Sequence, residues 1–382
     1  MASPITPARP SPLTTSSIPS QLNRGDAVKR VSLTVCLLIL TAGCAAKSKP
    51  DVAVSTDVRR DALARARVWH AVPTSSLDIA RGPRGHGSFA PNAMVDCNYV
   101  ERDMGGNTPK FACRLANGDE VKVKYGRDNG EVYAEVAASR LLWALGFSAD
   151  AMYPVRVRCH GCPGGKSAGA PVLYDPATIE RKVAGPSLAD EGGEGWAWPE
   201  LEAIAPSGAL STRAQRDALK LLAAMLQHTD SKREQQRLIC EVKVRAGGRC
   251  PQPLAYVADL GKTFGKVNLL NRDLPGSVDL DAWSETPVWS GSTGCQANAG
   301  TTMTGTLKDP EISDAGRQLL ARLLRELSDA QVRDLFRVSR FPMRESDAAG
   351  RDGATVDRWV AAFRQKRTEI TNRRCETTKA AR

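Results

Sequence analysis

Apolar and polar positions alternate in short runs through the first half of the chain and take helical spacing in the second. Side chains alternate from Phe111 to Tyr125 around Ala116-Asn117-Gly118-Asp119, which predicts two short strands and a hairpin turn. Glu131 to Leu145 sets Ala134, Ala138, Leu141, Leu142 and Leu145 on one helical face, with Gly146 as its stop. Tyr153–Arg158 and Thr178–Val183 read as strands, the second ending before Gly185-Pro186. Ser187 to Gly195 is glycine- and acid-rich and reads as a linker. Beyond it, Thr212–Gln227 is a helix capped by Ser211 or Thr212, with Ala218, Leu222, Met225 and Leu226 on its buried side. Arg237–Val244 and Leu254–Ala258 predict a hairpin around Gly247-Gly248. Three late helices carry Leu319 to Leu327, a Ser328/Gln331 capping box, and Val356, Trp359, Val360, Phe363 and Ile370. One amphipathic segment, Val58 to Trp69, precedes all of these.

The order is α+β: a strand-rich front with one main helix, then a mostly helical back. With 42% hydrophobic residues, the chain can bury a core. The net charge of +11 is dispersed, and no Lys/Arg block is interleaved with aromatics, so nucleic acid is not an expected partner.

Residues 1–27 are rich in Pro, Ser and Thr. Lys29-Arg30, the apolar run Val31–Leu40 and Thr41-Ala42-Gly43-Cys44 follow, a basic region, a short hydrophobic region and small residues before a cut. The run is too short to span a bilayer as a helix. It resembles a bacterial lipoprotein signal with Cys44 as the lipidated residue, and a start at Val28 is expected. Apart from Cys36 and Cys44, the cysteines are Cys97, Cys113, Cys159, Cys162, Cys240, Cys250, Cys295 and Cys375, an even set that suits an exported disulfide framework. Loop-closure entropy favours Cys97–Cys113, Cys159–Cys162 and Cys240–Cys250, which leaves Cys295–Cys375. Cys159-His160-Gly161-Cys162 also has the spacing of a redox motif or half a zinc site. Pro163-Gly164-Gly165 after it points to a loop and a structural disulfide.

The candidate chemistry centres on Gln227-His228-Thr229-Asp230-Ser231-Lys232-Arg233-Glu234-Gln235. Phosphoryl transfer needs a carboxylate to orient the attacking hydroxyl and a polar side chain to hold metal. Asp230 suits the first role and Gln235 the second, with Lys232 beside them. Gly105-Gly106 opens a turn whose N–H groups can cradle phosphates. Lys124, in Val121-Lys122-Val123-Lys124, can reach phosphates from a strand, and Lys122 shares its face. Glu131 and Glu135 on the next helix are candidate partners for that lysine. Asp259, in Val257-Ala258-Asp259-Leu260-Gly261, is a candidate metal ligand. Each feature is ordinary alone, since exposed strand lysines and Asp-Leu-Gly turns are common; their order along the chain carries the weight.

In that order, residues 97 to about 265 resemble the protein-kinase-like superfamily. The Asp230 segment is similar to H-R-D-x-K-x-x-N, Lys124 to the lysine of V-A-I-K, and Asp259 to D-F-G. Glu135-Val136-Ala137-Ala138 with Leu141-Leu142 and Leu145-Gly146-Phe147 is similar to the pairing helix of atypical kinases, which selects Glu135. The likeness is to atypical branches: HipA-type kinases, phosphatidylinositol 3/4-kinases and secretory-pathway casein-type kinases. It implies a bilobal fold that binds ATP or another nucleotide with Mg²⁺ or Mn²⁺. It also implies that Glu180-Arg181-Lys182 lies at the hinge, placing Glu180 and Lys182 beside the base. Gln235 stands where the family has Asn, and no A-P-E follows Gly261.

The expected organisation is a leader and signal over 1–43, a tether and peripheral helix over 44–90, a strand-rich lobe over 91–185 and a helical lobe over 186–382. The expected function is that of a lipid-anchored phosphotransferase at the bacterial cell envelope, acting on an unidentified hydroxyl acceptor. The alternative is a catalytically silent kinase-fold lipoprotein that binds a ligand or protein there. Two carboxylates, Asp230 and Asp259, favour the first reading; the scarcity of ATP outside the cytoplasmic membrane leaves the donor open. Replacing Cys44 by Ser is expected to move the protein from the membrane to the soluble fraction, and unchanged partitioning would refute the anchor.

Overall fold

The computed structural model describes residues 52–163, 170–202, 209–242, 249–265, 278–300, 305–345 and 355–375, which lie within one compact unit beginning at Ser48. Cys44 and the Gly247-Gly248 turn fall outside the described residues. In chain order the elements are β1 (Val52–Ala53), α1 (Thr56–Arg65), β2 (Met94–Val100), β3 (Lys110–Leu115), β4 (Glu120–Tyr125), α2 (Glu131–Ala144), β5 (Ala151–His160) and β6 (Val172–Arg181). Then come β7 (Leu188–Ala189), α3 (Arg213–Met225), β8 (Gln236–Cys240), β9 (Pro253–Val257) and α4 (Leu280–Glu285). The chain continues with α5 (Asp314–Glu326), α6 (Asp329–Val338), α7 (Phe341–Glu345) and α8 (Val356–Asn372). The architecture is mixed α+β. No helix among the described residues is long and apolar enough to cross a membrane.

The front half is a closed barrel in the order β2-β3-β4-β6-β5, sealed by a parallel pairing of β5 with β2. Val121 and Val123 fill its interior with Cys113, Val155, Val157 and Ile179. Because strand side chains alternate, the same register sends Lys122 and Lys124 out of the barrel. Two features of the barrel exceed the sequence expectation. β2 carries Asp96 and Asn98 between its buried positions, which hides its apolar face, and β6 begins at Val172 rather than Thr178. Helix α2 also departs from the one-faced pattern. Trp143 apart, it is buried all round, so Glu131, Glu135 and Arg140 must all find partners inside the protein.

The back half packs around α3, whose N-terminus is closed by the Thr212/Gln215 capping box. α6 opens with the expected Ser328/Gln331 box. Phe264, just past the Asp259 segment, contacts the rings of Trp283, Phe336, Phe341 and Trp359. The residues expected as a tether are packed from Val52 onward. β1 pairs in parallel with β7, and Ala62, Leu63, Ala66 and Val68 lie in the main core.

Four disulfides are present: Cys97–Cys113, Cys159–Cys162, Cys240–Cys250 and Cys295–Cys375, with Cα atoms 5.7, 5.7, 5.8 and 5.2 Å apart. Cys159-His160-Gly161-Cys162 closes a turn at the end of β5, so its cysteines act as a staple and not as a helix-initiating redox pair. Thiol titration of the isolated oxidised protein in denaturant is expected to find no more than one reactive thiol in the mature chain; four or more would refute this framework.

Candidate active site

Lys124 stands near the end of β4 on the barrel's outer surface, where α2 covers it. Its ammonium is surrounded by Glu131 Oε2 at 2.7 Å, Glu135 Oε1 at 2.5 Å and Asp259 Oδ2 at 3.8 Å. Glu131 and Glu135 stand one helical turn apart, which is why one ammonium meets both. Burial works against a charged Lys124, but Asp259, Glu135 and Glu131 outweigh it and hold its pKa well above the ordinary value. Burial pushes the Glu135 carboxyl well above its usual range, against the pull of Lys124. Desolvation also opposes ionisation of Asp259, yet Lys124 and Lys122 prevail and hold that carboxyl below its usual range. Glu135 Oε2 is buried and has no hydrogen-bond donor.

Asp259 follows β9, and its Oδ1 accepts from the Gly261 N–H at 3.0 Å. Gly261 is required by close approach: a Cβ there would lie 2.7 Å from the Glu131 side chain. Lys262 Nζ lies 4.0 Å from Glu131 Oε1, and Thr108 Oγ1 donates to the same oxygen at 2.8 Å. The Gly105-Gly106 turn, with Gly106 at φ +83°, is thereby tied through Thr108 to the lysine cluster.

Asp230 and Gln235 join the cluster from the loop after α3. Gln235 Nε2 donates to Asp230 Oδ2 at 3.1 Å, and Lys232 Nζ lies 3.6 Å from Asp230 Oδ1. The Gln235 carbonyl accepts from the Ala258 and Asp259 N–H groups at 2.9 and 3.2 Å, which sets the two loops side by side. His228 is structural. Gln236, with its amide nitrogen toward the Lys232 and Trp196 carbonyls, accepts from His228 Nε2 and Trp198 Nε1 at 3.2 Å each. Arg233 Nη2 reaches Asp190 Oδ1 at 2.8 Å, so the acid-rich segment clamps this loop.

The structure thus gathers Gly106, Lys124, Glu135, Asp259, Gln235, Asp230 and Lys232 around connected loops and strands. Glu180 instead pairs with Lys122 further along the same face, while Lys182 is solvent-exposed. Sequence reasoning set Glu131 aside in favour of Glu135 and passed over Thr108 and Lys110. Lys110 lies directly across from Lys124 in the β3·β4 register, and a hairpin centred on Asn117 already implies that pairing. Asp259 and Asp230 carboxylates and the Gln235 amide oxygen are hard donors, the set that Mg²⁺ and Mn²⁺ take. The Gln235 amide nitrogen is engaged by Asp230, which leaves its oxygen for a cation.

No protein-family model and no curated protein matches the chain. Among solved structures, the crystal structure of the Helicobacter pylori proinflammatory kinase CtkA is similar, at 9% identity, over 74% of this chain and 96% of that one, with a TM-score of 0.41.

Burial lowers the His228 pKa from 6.5 to about 4. Between those values the unfolded chain takes up a proton that the folded chain refuses. The stability this residue contributes is therefore complete above pH 6.5 and lost as pH falls toward 4. The drop corresponds to roughly 3 kcal/mol. His228→Gln, which keeps a donor toward Gln236, is expected to flatten the acid limb of a urea-midpoint-against-pH curve; parallel curves would refute this.

Proposed function

We propose that the protein is a kinase-like phosphotransferase, with a bilobal nucleotide site between the barrel and the helical half. The observation that carries the reading is the Lys124–Glu135 ion pair beside Asp259, with Asp230 and Gln235 on the adjoining loop. Lys124 is held by acidic partners where it can exchange Asp259 for phosphate oxygens. Asp259 and the Gln235 amide oxygen would hold Mg²⁺ or Mn²⁺, whose charge offsets that of the phosphates. Asp230, aligned by the Gln235 amide, accepts the proton of the acceptor hydroxyl and orients its oxygen. Lys232 lies beside that carboxylate and supplies positive charge to the transferred group. The Gly105-Gly106 turn covers the phosphates with backbone N–H groups.

The acceptor is a hydroxyl compound at the bacterial envelope, where the Cys44 lipid would hold the enzyme. The disulfides support that placement, since such bonds persist in oxidising compartments.

Asp259→Ala is expected to abolish Mn²⁺-dependent stabilisation by nucleotide. In the unaltered protein that stabilisation is about 2.7 kcal/mol at a hundred times the dissociation constant. Asp230→Ala is expected to keep the stabilisation and stop transfer. Thermal unfolding with and without Mn²⁺ and nucleotide, alongside phosphoryl release, checks both. An unaltered protein that nucleotide fails to stabilise would sink the reading, leaving a silent binding module.

A further inference from the structure

Lys122 leaves the same face of β4 as Lys124, about 7 Å back along the strand. It is ion-paired with Glu180, its register partner on β6. The Glu180 side chain is 6% exposed and that of Lys122 is 27% exposed, so the pair lines a wall with its ammonium end open. The charges of Lys124, Glu135 and Asp259 all act on Lys122, and the pair continues the face of β4 that carries Lys124. The ion pair engages Glu180 Oε2, and no hydrogen bond to Oε1 is present among the described residues. The chain past β6 is less available to a base than its backbone suggests. The Val183 N–H, a donor that adenine N1 could use, already donates to buried Asp150 Oδ1 at 2.8 Å.

An ammonium beside a carboxylate is a complementary pattern for one purine. Guanine presents N1–H and N2–H as adjacent donors, which a carboxylate accepts bidentately, and next to them O6, which an ammonium satisfies. Adenine presents an acceptor at N1, where the carboxylate would meet it lone pair to lone pair, and only one amino donor. Uracil offers one donor between two acceptors and cytosine one amino donor beside two acceptors, so neither presents two adjacent donors to a carboxylate.

We propose that the phosphoryl donor is a guanine nucleotide, with Glu180 accepting from N1–H and N2–H and Lys122 donating to O6. This rests on the nucleotide-binding reading above. Equilibrium binding of non-hydrolysable GTP, ITP and ATP analogues to the full chain with Mn²⁺ tests it. GTP is expected to bind about 5- to 150-fold more tightly than ATP, the value of one good bidentate base contact. ITP, which lacks the 2-amino group, is expected to fall between them. Lys122→Met with Glu180→Gln removes both charges together and is expected to bring the GTP-to-ATP ratio close to one. Should that variant fail to fold, the three-analogue series on the unaltered protein decides alone. ATP binding as tightly as GTP, or more tightly, overturns the guanine assignment and leaves the phosphotransferase reading standing. Binding of none of the three overturns both.

Discussion

One buried ammonium sets the terms for the site. Lys124 Nζ is out of reach of water and meets carboxylates from α2 and from the segment after β9. A buried charge is tolerated only with such partners, and removing one partner from a buried pair costs about 3–5 kcal/mol. The cluster therefore constrains its own surroundings. β4 must present its even-numbered side chains outward, α2 must turn Glu131 and Glu135 toward the barrel, and the Asp259 loop must close against both. Gly261 permits that closure because any Cβ would collide with Glu131.

The cluster crowds acidic groups around one ammonium, and this bears on function. Glu131, Glu135 and Asp259 face one fully buried lysine, with Lys110, Lys122 and Lys262 at the margins. Glu135 Oε2 lacks a donor. Under the proposed function, this crowding suits a cation arriving with an anionic ligand better than the anion alone. The proposed guanine contact extends the same logic, since Lys122 and Glu180 offer charge of both signs where a base would lie.

A second constraint positions Asp230. The loop after α3 is built around the Gln236 amide, which joins His228 and Trp198 to the Lys232 and Trp196 carbonyls. Arg233 ties the loop to Asp190, and Arg59 on α1 adds contacts to Glu200 and the Gly195 carbonyl. The N-terminal segment and the acid-rich segment after β6 are thus parts of the scaffold beneath the candidate catalytic carboxylate. Phe264, beyond Gly261, sinks into the aromatic core of the helical half and fixes the other side of the site.

Local pattern was sufficient for much of this protein. The β3–β4 hairpin, α2, α3 and the late helices follow from periodicity and capping chemistry, which act over a few residues. The disulfide pairs between near neighbours follow from loop-closure entropy, and the order of short motifs singled out Lys124, Glu135, Asp230, Gln235 and Asp259 as candidates. Tertiary structure decided what depends on distant segments. β2 and the parallel β2·β5 closure were hidden because the Asp96 and Asn98 side chains interrupt the apolar run. The packing of residues 52–79 was hidden because one short amphipathic segment declares no partner. The dual grip of Glu131 and Glu135 on Lys124 depends on how α2 lies across the barrel, because α2 is buried all round and its apolar face alone does not orient it. The pairing of Lys122 with Glu180 is set by the register of strands more than fifty residues apart in sequence, which no local preference encodes.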